Sequence, residues 1–109
     1  MRLTYVMKFV ADMDKAVTFY RDMLGLELRF QSPEWTEFAT GETTLALHLA
    51  NDTHPAGSAQ IGFSVEDIEA FHRDKAAAGV VFTRPPTPQH GTKLADFVDS
   101  DGAEVSVSG

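Results

Sequence analysis

The sequence predicts an α+β fold built from two copies of one βαβββ unit, with helices on one face of a mixed sheet and a cleft on the other. Three observations carry that reading. Strand-like runs alternate apolar residues with small or polar ones, two helical stripes each follow an aspartate, and the whole order is written twice. The two renderings are FVADMDKAVTFYRDMLGLEL and FSVEDIEAFHRDKAAAGVVF, about 55 residues apart.

In the first copy, Leu3–Val10 reads as a strand with Val6 and Val10 on one face and Tyr5, Met7 and Phe9 on the other. Lys8 falls on the helix-facing side, where its stem packs while its charge reaches water. Asp12 caps a helix whose stripe is Met13, Ala16, Val17, Tyr20 and Leu24, and Gly25 stops it. Strands follow over Leu26–Gln31, Trp35–Thr40 and Thr43–Ala50, the last two turning at Gly41. In TTLALHLAND, Leu45, Leu47 and Leu49 point to the helix, whereas Thr44, Ala46, His48 and Ala50 point away.

NDTHPAGS, Asn51–Ser58, has the composition of a linker. Ala59–Val65 restarts the pattern with Ile61, Phe63 and Val65 on one face and Gln60, Gly62 and Ser64 on the other. Asp67 caps a helix carrying Ile68, Phe71, Lys75 and Ala78, which ends at Gly79. A short strand Val80–Thr83, the loop RPPTPQHG and a hairpin of Lys93–Val98 with Glu104–Ser108 around DSDG complete the chain. Residues 1–109 thus read as one domain: a first module over about 1–50, the linker 51–58, and a second module over about 59–109.

Composition narrows the function. Without cysteine, disulfides, thiolate nucleophiles and zinc fingers are excluded. The 16 acidic residues against nine basic ones give a net charge of −7, which argues against nucleic acid and leaves small molecules, cationic ones included, as partners. The N-terminal run MRLTYVMKFVAD has a mid-run lysine and no small-residue cleavage site, so no signal peptide is expected. No apolar run approaches the ~20 residues that span a bilayer, and the expectation is a cytoplasmic protein without membrane partners.

The duplicated unit, with VADMDKAVTFYRDMLGL, the hairpin EFATGETTLALHL, the restart IGFSVEDIEAF with AAAGVVF, and the ending FVDSDGAEVSV, resembles the vicinal oxygen chelate superfamily, which includes glyoxalase I, extradiol dioxygenases and bleomycin-binding proteins. The ending has Ser100 where the family commonly carries proline. The resemblance implies a U-shaped eight-stranded mixed sheet with helices on its convex side and an active or binding cleft on the concave one. It also implies a homodimer and, in the metal enzymes, two ligands per module. Those ligand positions fall here on Tyr5 and His48 in the first module and on Gln60 and Ser106 in the second.

Of these four only His48 is a strong neutral ligand for a transition metal, and no carboxylate accompanies it, so no cofactor is expected; a divalent metal is the alternative. A shifted site using His48 and Glu104 is a variant of that alternative. Three roles stay open for His48: a hydrogen-bonded, partly buried imidazole, a ligand contact or general base, and a metal ligand. Neither Ser64 nor Ser106 lies in a nucleophile elbow, and the sequence marks no orienting carboxylate. His54, His72 and His90 are expected in local or solvated roles.

Met7, Phe9, Trp35 and Phe97 are candidates to line an apolar pocket, although for the phenylalanines plain core packing is the favoured role. Trp35, the single tryptophan, stands between packing and recognition, and Gly62 makes room on the cleft face. The sequence therefore predicts a bleomycin-resistance-like protein binding a small, partly apolar molecule through Tyr5, Met7, Phe9, Trp35, His48, Gln60, Gly62 and Ser106. Two alternatives accompany it: a metal-dependent lyase, isomerase or dioxygenase of the same superfamily, and metal-free catalysis with His48 as general base.

Overall fold

Each repeat of the sequence folds as a four-stranded mixed sheet under one helix. The computed structural model describes residues 1–109 and divides them into two units, Thr4–Ala59 and Met1–Leu3 with Gln60–Gly109.

The first unit contains β1 (Arg2–Val10), α1 (Met13–Thr18), β2 (Glu27–Gln31), β3 (Trp35–Ala39) and β4 (Thr44–Leu49), with strand order β2-β3-β4-β1. β1 runs parallel to β4, while β3 is antiparallel to both β4 and β2. Asp12 caps α1 by accepting from Lys15 N at 3.1 Å. Met13 and Val17 bury against Phe38 and Leu47, and Leu45 and Leu49 pack on the same cluster. Phe38 and Leu47 are fully buried, and such burial stabilises by roughly 1.5–3 kcal/mol per side chain.

The helical stripe ends earlier than its spacing predicts. After Thr18 the chain makes a π-helical turn over Phe19–Met23, closed by Leu24 N donating to Phe19 O at 3.1 Å. The wider turn rotates the following residues, so Leu24 is exposed instead of joining the core, while Tyr20 still reaches Phe38. Gly25, at φ +74°, then reverses the chain.

The second unit contains β5 (Ala59–Ser64), α2 (Ile68–Ala77), β6 (Phe82–Gln89), β7 (Thr92–Val98) and β8 (Glu104–Ser108), in the order β5-β8-β7-β6. The pairing repeats that of the first unit: β5 parallel to β8, with β7 antiparallel to β8 and β6. Asp67 caps α2 through Ala70 N, and Ile68 and Phe71 pack with Ala95 and Val107. Lys75 and Ala78 are exposed, because the apolar face of α2 is confined to its first turns.

RPPTPQHG, expected as a loop, is mostly strand. Pro85, Pro86 and Pro88 lie within β6, which has β7 as its only neighbour in the unit, so the missing N–H groups can face outward. Two register irregularities accompany them. The β6–β7 turn has positive φ at both His90 (51°) and Gly91 (81°), the pattern of a tight two-residue hairpin. Phe97 takes the core role favoured for it: its ring lies 6.1 Å from Phe71 and 5.6 Å from Phe82, on the helix-facing side.

The linker is tied to β1. Phe9 N donates to Ser58 O, Gly57 N to Phe9 O, and Lys8 Nζ to Gly57 O at 2.8 Å. No helix is long and apolar enough to cross a membrane.

Candidate functional site

In the first unit, the face opposite α1 carries a row of rings. Strand alternation puts Tyr5, Met7 and Phe9 of β1, Thr44, Ala46 and His48 of β4, and Trp35 and Glu37 of β3 on that side. The register sets His48 beside both Phe9 and Trp35. Its ring centroid is 5.4 Å from Phe9 and 5.9 Å, edge-on, from Trp35, which in turn is 6.4 Å from Tyr5. Met7 is half-buried opposite Ala46.

His48 Nδ1 is 2.7 Å from the Leu49 carbonyl oxygen. A carbonyl only accepts, so Nδ1 carries the proton and Nε2 bears the lone pair in the neutral ring. That is the tautomer needed to accept a hydrogen bond or a proton from a ligand.

Glu37 accepts from Trp35 Nε1 at 2.8 Å and lies 4.0 Å from Arg29 Nη1, which donates to Thr44 Oγ1 at 3.1 Å. Burial pushes the Tyr5 phenol above its ordinary value, the Glu37 carboxylate adds to that rise, and Arg29 partly offsets it. Tyr5 is therefore a neutral hydroxyl at physiological pH.

His54 extends the row. It stacks on Phe9 at 4.4 Å with an interplanar angle of 9°. Asn51 holds it there, its Oδ1 accepting from Thr53 N and His54 N and its own N donating to His54 O. Of the local or solvated roles expected for it, His54 takes a local one, because the turn places its ring on β1. No periodicity marks a loop residue of this kind, whereas Glu37 was within reach of alternation from Trp35.

In the second unit, the equivalent face carries a polar chain. Buried Gln60 donates from Nε2 to Ser106 Oγ at 2.8 Å, and Ser106 Oγ donates to Asp96 Oδ1 at 2.8 Å. Asp96 Oδ2 meets Arg84 Nη2 at 2.9 Å. Gly62, also buried, lies opposite Ser106 in the β5–β8 register. Asp96 is thus the carboxylate beside Ser106 that sequence reasoning did not mark. Alternation in LADFV points to it, since Ala95 and Phe97 face the core and Asp96 faces the other way.

The ladders also correct the pairing of candidate metal positions. Met7 and Gly62 occupy matching places ahead of the capping aspartates; Met7 lies opposite Ala46 and Gly62 opposite Ser106. The counterpart of Ser106 is therefore Ala46, two residues before His48. A one-step alternation cannot reveal such a slip, because positions 46 and 48 face the same way. The matched set, Tyr5, Ala46, Gln60 and Ser106, does not fit a divalent ion. An alanine offers no donor, the glutamine and phenol are weak ligands for such an ion, and the serine hydroxyl is engaged by Gln60 and Asp96. No three His, Cys, Asp or Glu side chains anywhere in the chain are grouped to hold a metal.

The model of the glyoxalase/bleomycin resistance protein/dioxygenase superfamily matches residues 2–107. A probable lactoylglutathione lyase of Synechocystis sp. is 30% identical, over 98% of this chain and 94% of that protein. The lactoylglutathione lyase of Haemophilus influenzae is 29% identical, over 96% and 90%. Among solved structures, methylmalonyl-CoA epimerase from Mycobacterium tuberculosis superposes with a TM-score of 0.76 at 19% identity, covering 98% of this chain and 86% of its own, a likeness of fold.

Proposed function

The chain belongs to the glyoxalase/bleomycin resistance protein/dioxygenase superfamily, and from that premise we propose that it binds a small, partly apolar molecule without a metal. In the first module Tyr5, Met7, Trp35 and His48 supply the apolar shelf and its polar focus, with Phe9, buried under His54, backing His48. In the second, Gln60, Gly62 and Ser106 supply hydrogen-bonding groups and room. The observation that carries this reading is the run of rings Tyr5, Trp35, His48, Phe9 and His54 on one sheet face. Aromatic walls with few, fixed polar groups are what small-molecule sites use.

Because Trp35 is the only tryptophan, its emission reports this face alone. Titration with a panel of apolar and cationic compounds should give a saturable change that Trp35→Phe abolishes. Silence across the panel would count against the reading.

Catalysis by His48 as general base is the second reading, favoured by its proton-free Nε2. The relatives named lactoylglutathione lyase indicate the compound to try. Turnover of lactoylglutathione that survives a chelator and is lost in His48→Gln would establish it. A homodimer belongs to the same proposal, and light scattering showing a monomer at micromolar concentration would defeat that part.

A further inference from the structure

The polar chain of the second unit ends on a donor with nothing to bind. Arg84 uses Nη2 on Asp96, yet its Nε–H, shielded from solvent, has no partner. A guanidinium commonly meets a carboxylate through two parallel N–H groups. Here the second arm is idle while the other carboxylate oxygen accepts from Ser106. Leaving a buried donor unsatisfied is costly, so the arrangement has a ready alternative.

We propose that Arg84 Nε–H is the reserve partner of Asp96, which frees Ser106 to turn its hydroxyl to an acceptor oxygen on a ligand. When Ser106 turns, Asp96 Oδ1 takes the Arg84 Nε–H and the ion pair becomes bidentate. The Ser106 proton stays on Oγ, and Gln60, donating to that same oxygen, keeps it in place. The second module therefore selects a ligand presenting a carbonyl or carboxylate oxygen. This device is absent from the first module, where Ala46 occupies the position of Ser106.

The inference deepens the reading of Ser106 as a ligand-facing residue, but its test needs no ligand, so failure of either is seen separately. Ser106→Ala removes the hydroxyl from Asp96 as a ligand would. In protein carrying isotope-labelled arginine, the Arg84 Nε–H resonance is assigned by its loss in Arg84→Lys. In Ser106→Ala it should move downfield and exchange with water about tenfold more slowly. An unchanged resonance would overturn the proposal. A denaturation cycle provides the second readout, since lysine keeps the charge but has no Nε–H. Ser106→Ala should lower the folding equilibrium constant about tenfold more in the Arg84→Lys background than in the wild type; additive losses would overturn it.

Discussion

The two modules share a scaffold and differ in what they mount on it. In each, an arginine from the strand at one edge of the unit's sheet lies near a carboxylate on the adjoining strand. The pairs are Arg29 with Glu37 and Arg84 with Asp96. The two carboxylates sit at matching places, Glu37 opposite Ala46 and Asp96 opposite Ser106. From there the modules part. Asp96 is buried, receives a hydroxyl from Ser106 and holds its arginine at 2.9 Å. Glu37 has no hydroxyl across from it, accepts the Trp35 indole instead, and leaves Arg29 at 4.0 Å. Where the second module carries Gln60, Gly62, Ser64 and Ser106, the first carries Tyr5, Met7, Phe9 and Ala46, and the polar chain gives way to an aromatic face.

The largest effect should come from breaking the tighter pair. Asp96→Ala strands the Arg84 guanidinium and the Ser106 hydroxyl, and chemical denaturation should register a loss of about 3 kcal/mol. Glu37→Ala removes one indole hydrogen bond and a long ion pair, so about 1 kcal/mol is expected from the same measurement. Equal losses would contradict the asymmetry between the modules.

A smaller effect concerns Tyr5, and its sign follows from the raised phenol. A group whose folded value lies above its unfolded one contributes stability below the ordinary tyrosine value near 10 and loses it as pH rises through the folded value. In a Tyr20→Phe background, ultraviolet titration should place Tyr5 above an ordinary tyrosine. Glu37→Gln should bring it partway down, because burial, the larger cause, remains. No response to Glu37→Gln would separate the two groups.

Much of the scaffold was legible in the sequence because local chemistry repeats there. Asp12 and Asp67 cap helices as their spacing implies, and Leu45, Leu47 and Leu49 pack beneath α1 by plain alternation. The π-helical turn was not legible, since Leu24 continues the apolar stripe in sequence and leaves it only when the turn widens. The prolines of β6 mimic a loop until its edge position is known. The face of the site was readable, but its pairings were not. His48 and Ala46 share a side, and only the β1–β4 ladder shows which of them matches Ser106. Arg84 and His54 needed the fold to reach Asp96 and Phe9, because both contacts are long-range or made from a turn.

Under the proposed function, a ligand on the first module's aromatic face has His48 at its focus. The most direct measurement is calorimetric titration of the tightest compound found by Trp35 emission, compared between wild type and His48→Ala. Losing one desolvated hydrogen bond and a ring contact should weaken binding by roughly tenfold or more, with unfolding unchanged within about 1 kcal/mol. Equal affinity in the two proteins would place the ligand away from His48.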